Sequence, residues 1–101
     1  MDIIMLTTKL LALLTLLYSD LGYQPVITSG YRHPTHPIEA VKAQPGTHTQ
    51  GIAVDLRCRS DCKVIKQAAQ HIGFTGIGMY KDHIHLDIRE TPATWYDVSK
   101  R

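Results

Sequence analysis

Apolar positions cluster from Leu10 to Leu17 (LLALLTLL), with Thr7 or Thr8 placed to cap a helix that runs to about Ser19 and Gly22 placed to end it. Pro25 leads into a short β-branched strand, Val26-Ile27-Thr28. From Gly30 to Gly46 the chain reads as loop, punctuated by Pro34, Pro37 and Pro45, with room for one helical turn at Ile38 to Ala43. Ile52 to Arg57 alternates and reads as a strand. Ser60 is placed to N-cap a helix from Asp61 to Ile72, which Gly73 closes. Gly76 to Tyr80 and His83 to Arg89 read as a final strand pair, and Trp95 and Tyr96 in the tail pack back on the body. The order predicts an α+β fold, a small and mainly antiparallel sheet flanked by helices, in a single domain over 1–101.

The last strand carries the first chemical signal. Alternate side chains of a strand share a face, so Ile84, Leu86 and Ile88 point one way and His83, His85 and Asp87 the other. The apolar set must face the core. The other face then presents two imidazoles and a carboxylate side by side, as a metal-binding cleft floor would, or as a solvated polar face would.

A second polar cluster is THTQGIAVD, with His48 and Asp55 at its ends. Seven extended residues span roughly 23 Å, and zinc ligand bonds are about 2 Å. For both to reach one metal the chain must turn between them, and Gly51 permits that. Asp55 stands in an otherwise apolar strand, a costly place for a carboxylate without a partner or a metal.

Composition changes the picture little. A formal charge of +2 and no basic stripe argue against a nucleic-acid partner. The six histidines, His33, His36, His48, His71, His83 and His85, are the exception, because imidazole is the commonest metal ligand. His71 is expected on the surface. Cys58 and Cys62 lack the second pair that a structural zinc site needs, and they suit either one local disulfide or two thiols. The Leu10–Leu17 run is too short to span a bilayer. Asp2 stands where a signal peptide carries positive charge, and no small-x-small site follows Leu17, so a buried helix is expected there.

Three motifs in order, S-G-Y-R (Ser29 to Arg32), H-T-Q-G-I-A-V-D (His48 to Asp55) and D-H-I-H-L-D (Asp82 to Asp87), resemble the zinc D-Ala-D-Ala carboxypeptidase family. That family includes phage L-alanyl-D-glutamate endolysins and shares its zinc fold with the hedgehog signalling domain. The resemblance is greatest to the short phage-type branch and covers roughly Leu10 to Tyr96. It implies Zn2+ held by His48, Asp55 and His85, which leaves a fourth position for water. It implies Asp82 as general base, Arg32 as oxyanion stabiliser, and His83 as a cleft residue able to hydrogen-bond the intermediate or substrate. Positions three apart on a strand face opposite ways, so Asp82 needs a turn or bulge to reach the metal, and Asp87 is the alternative base.

The function implied is a metallopeptidase, a hydrolase of peptidoglycan stem peptides, of carboxypeptidase or L-Ala-D-Glu endopeptidase type. The alternative is a non-catalytic zinc-containing module that binds peptidoglycan or serves in a phage particle. The expected setting is the bacterial cytoplasm for synthesis and the cell wall for action, in phage-associated cell-wall degradation, without stable membrane insertion. The loop from Tyr31 to Thr47 would shape the pocket and choose the bond.

Overall fold

The computed structural model describes residues 7–29 and 52–96. Helix α1 spans Thr8–Leu21. The Thr7 hydroxyl accepts the Leu10 amide at 3.3 Å, and Gly22 ends the helix at φ 80°, a left-handed conformation in which its amide reaches the Tyr18 carbonyl at 2.9 Å. Leu10, Leu14 and Leu17 repeat at helical spacing and are buried, whereas Leu11 and Leu16 are exposed. α1 is therefore a packed helix, as the pattern predicts, and it is amphipathic, with one apolar face buried. No helix among the described residues is long and apolar enough to cross a membrane.

Helix α2 spans Cys62–Ile72 and ends at Gly73, φ 117°. Its N-cap is Asp61, not Ser60 as expected, and the Asp61 side chain makes no capping bond. The reason is competition. Oδ1 of Asp61 accepts the Arg59 amide at 2.8 Å, and Oδ2 accepts the Tyr23 hydroxyl at 2.5 Å. Tyr23 lies just past α1, so this bond ties the end of one helix to the start of the other. That hydrogen bond, with some burial and the nearby negative charge, pushes the Tyr23 phenol up to about 12. Cys58 and Cys62 form a disulfide that fastens the start of α2 to the preceding strand.

Among the described residues five strands form one sheet: β1 (Ile27–Ser29), β2 (Ala53–Arg57), β3 (Gly76–Met79), β4 (His83–Asp87) and β5 (Ala93–Tyr96). Their order is β1-β2-β4-β3-β5. The first three pairings are antiparallel and β3–β5 is parallel. The fold is thus the α+β class expected. The sequence reading placed Trp95 and Tyr96 against the body but did not predict that they would do so as a strand, β5.

Val54, Leu56, Ile77, Met79, Ile84 and Leu86 point to one face and join Leu10, Leu14, Leu17, Ile65, Ala68 and Ala69 in a single core. Both helices therefore cover that face. By strand alternation the other face carries Ala53, Asp55 and Arg57 of β2, Gly76 and Gly78 of β3, and His83, His85 and Asp87 of β4. It is not a solvated polar surface: Asp87 is fully buried and His85 nearly so.

Candidate functional site

β2 and β4 are in register so that Asp55 stands opposite His85. Oδ1 of Asp55 and Nδ1 of His85 are 3.1 Å apart. On the other side of the ring, Nε2 of His85 lies 2.7 Å from Oδ2 of Asp87. The imidazole is thus held between two carboxylates. Burial disfavours its charged form, but the hydrogen bonds to Asp55 and Asp87 outweigh that and raise its pKa above the ordinary value.

Asp87 is anchored in turn by Arg89. Its oxygens accept from Nε of Arg89 at 2.9 and 3.0 Å, from the terminal nitrogen at 2.6 Å, and from the Arg89 amide at 3.1 Å. Burial would raise the Asp87 carboxyl, yet the bonds from His85 and Arg89 hold it well below the usual carboxylate range. The Arg89 guanidinium sits 4.8 Å from the Trp95 ring centre, and the same indole leans on His85 at 5.3 Å.

This packing needs the two glycines of β3. A β-carbon on residue 76 would come within 1.9 Å of the Asp87 carboxylate, and one on residue 78 within 2.5 Å of the Trp95 indole. Gly76 stands opposite Asp87 and Gly78 opposite His85, so the missing side chains make the space that carboxylate and indole fill.

His83 lies on the same face as His85, two positions earlier on β4, at the mouth of the site. Its ring stacks on Tyr80 with centres 4.4 Å apart, and the Tyr80 hydroxyl accepts from the Trp95 indole at 3.0 Å. Asp82 occupies the Lys81–Asp82 turn between β3 and β4, closed by the Tyr80 amide on the His83 carbonyl at 3.0 Å. The turn is held to the end of β2 by the Cys58 amide, which donates to the Asp82 carbonyl at 3.1 Å. The Asp82 carboxylate is open to solvent and accepts from Nδ1 of His83 at 2.9 Å. That bond, foremost, lowers its pKa, so it is ionised at neutral pH.

Of the expected site residues, the structure brings Asp55 and His85 together and places Asp82 and His83 at the adjoining turn. His48 and Arg32 lie outside the described residues, as do the Ile38–Ala43 turn and the Tyr31–Thr47 loop. Among the described residues no group of three metal-ligating side chains converges. The two donors present do fit a metal. Tetrahedral zinc with bonds of about 2.0–2.2 Å sets its ligand atoms roughly 3.3 Å apart, close to the 3.1 Å between Asp55 and His85. Asp87 does not fit the role of alternative base, because His85 and Arg89 occupy its oxygens.

Sequence reasoning missed Arg89, Trp95, Tyr80 and the two glycines as parts of this site. A signal existed for three of them: His85, Asp87 and Arg89 share the period of 2, and Gly76 and Gly78 repeat it on the neighbouring strand.

The sequence pattern described as Peptidase M15 matches residues 2–87, most of the chain and every motif named above. Curated proteins yield no match.

Proposed function

Because the chain belongs to the peptidase M15 family, we propose that it is a zinc-dependent peptidase that cuts stem peptides of peptidoglycan, with the metal held by His48, Asp55 and His85. The observation that carries this is the Asp55–His85 pair, 3.1 Å apart across two strands, with Asp87 holding the far nitrogen of the imidazole. When Nε2–H donates to Asp87, Nδ1 presents its lone pair on the Asp55 side, where a cation would sit.

Zinc held by His48, Asp55 and His85 would supply a Lewis acid and would lower the pKa of an attacking water toward neutrality. Asp82 takes the proton as that water adds to the scissile carbonyl, and its ionised state at neutral pH suits the task. Arg32 donates to the oxyanion of the tetrahedral intermediate. Asp82 then passes the proton to the departing nitrogen as the C–N bond breaks, which leaves one carboxylate and one amine. His83, stacked on Tyr80 and bonded to Asp82, orients that carboxylate. The setting proposed is phage-associated lysis or remodelling of the bacterial cell wall.

The test is mass spectrometry of peptidoglycan fragments after incubation with the zinc-loaded protein, alongside His85→Ala. New peptide termini from the unmodified protein alone support the reading and name the bond. A protein that holds one zinc per chain and yields no new termini overturns it in favour of a zinc-containing binding module.

A further inference from the structure

At the Arg57–His83 pair, one step along β2 and β4 from Asp55 and His85, lies a cleft of about 780 Å³ whose lining includes Thr28, Arg57, Arg59, Lys81, Asp82 and His83. That volume suits a short peptide segment. Three cations, Arg57, Arg59 and Lys81, stand there against one carboxylate, Asp82. Among the described residues no ion pair engages Arg57, Arg59 or Lys81. Asp61, two positions after Arg59, spends both oxygens on Tyr23 and the Arg59 amide. Asp82 is bonded to His83.

The position of these cations follows from the ladder. Arg57 pairs with His83 just as Asp55 pairs with His85, one step along the same two strands. Arg57 is therefore on the same face as Asp55, about 7 Å farther along β2. Lys81 comes from the turn that carries Asp82. Arg59 follows the disulfide-bonded Cys58, which restrains the backbone at this end of the cleft.

We propose that Arg57, Arg59 and Lys81 form the subsite for a free carboxylate on the substrate residue whose nitrogen leaves when the peptide bond is cut. The proposal rests on the peptidase reading above and adds what the site recognises. Both bond types that reading admits share this chemistry. In D-Ala-D-Ala the terminal carboxylate, and in L-Ala-γ-D-Glu the α-carboxylate, is borne by the α-carbon bonded to the scissile nitrogen. A carboxylate so close to the reacting carbon must lie within a step or so of the metal ligands along the sheet, which is where Arg57 stands, with Arg59 and Lys81 lining the same cleft. Guanidinium groups bind carboxylates through paired charged hydrogen bonds.

The probe is the pentapeptide L-Ala-γ-D-Glu-L-Lys-D-Ala-D-Ala and its two monoamides, one at the D-Glu α-carboxyl and one at the C-terminus. The zinc-loaded full chain is compared with Arg57→Gln, Arg59→Gln and Lys81→Gln, with kcat and KM measured separately and binding followed by chemical shift changes. One monoamide is expected to raise KM about tenfold, the loss of one charge-assisted hydrogen bond. Which monoamide does so tells the two carboxylate sources apart. Arg57→Gln is expected to erase the difference between acid and amide, and Arg57→Lys to restore part of it. Zinc content stays at one per chain throughout. Cleavage of all three peptides with the same KM, or an acid preference that survives all three substitutions, overturns the subsite. If no peptide is cleaved, the peptidase reading fails, and the binding arm still decides the subsite. Tighter binding of acid than amide that is lost in Arg57→Gln supports it, and equal binding overturns it.

Discussion

Oδ1 of Asp87 occupies the space above Gly76, 1.9 Å from where a β-carbon on that residue would stand. This face of the sheet is thus built around a hole, and the buried carboxylate that steadies His85 depends on a residue with no side chain.

Gly76→Ala tests that dependence directly. The neighbour is a carboxylate fixed by several hydrogen bonds, not the loose end of a flexible chain, so it cannot yield cheaply. A loss of about 1–3 kcal/mol is expected, the range for overpacking a filled interior. Urea unfolding of the variant checks this. An unchanged midpoint would show that Asp87 can move aside.

Asp87→Asn separates orientation from ligation. It removes the charge behind Nε2 of His85 while leaving Asp55 and His85 in place. Zinc affinity is expected to fall about 10- to 100-fold, the cost of losing an outer partner of a ligating histidine, measured by competition with a chromophoric chelator. Asp82→Ala should leave zinc affinity unchanged and lower turnover about 10²- to 10⁴-fold. Near-normal turnover in Asp82→Ala would remove that residue from the mechanism.

Acid should unfold the protein partly through Asp87. Its native pKa is depressed below the ordinary 3.8. The stability it contributes is therefore complete above that value and is lost as pH falls below it toward the native pKa. Thermal unfolding of the metal-free protein between pH 5 and pH 2 is expected to show a steep decline that Asp87→Asn makes shallower. Equal slopes would mean that the bonds from Arg89 and His85 hold the carboxyl less firmly than their geometry implies.

The Cys58–Cys62 disulfide closes a short loop, so its effect through the unfolded chain is modest, about 2 kcal/mol. Reduction, or the double change to serine, should lower the melting temperature without releasing zinc. Loss of zinc on reduction would show that the bridge also maintains β2, the strand that carries Asp55 and ends one residue before Cys58.

Much of this was legible in the chain. The glycines at 22 and 73 and the threonine at 7 marked helix ends because left-handed backbone and orphan amides have few local solutions. Ser60 misled because a cap depends on which neighbours compete for the side chains, and Tyr23, 38 positions from Asp61, is invisible to local pattern. β5 was missed for a similar reason. Its four residues alternate between half-buried and exposed, a weak signal, and they form a strand only because β3 offers an edge.

For the site, period 2 put His83, His85 and Asp87 on one face of β4, and motif order named Asp55 as their partner across a gap in the chain. The sequence by itself thus determined which side chains share a face and which residue types stand together there, since both follow from backbone geometry and the order of residues. Register, burial and partnership belonged to the tertiary structure. Only the β2–β4 ladder sets Asp55 against His85. Only the glycine gap, the Trp95 indole and the Arg89 fork turn Asp87 from a candidate base into a buried anchor, because a carboxylate's role is decided by the groups that reach its oxygens.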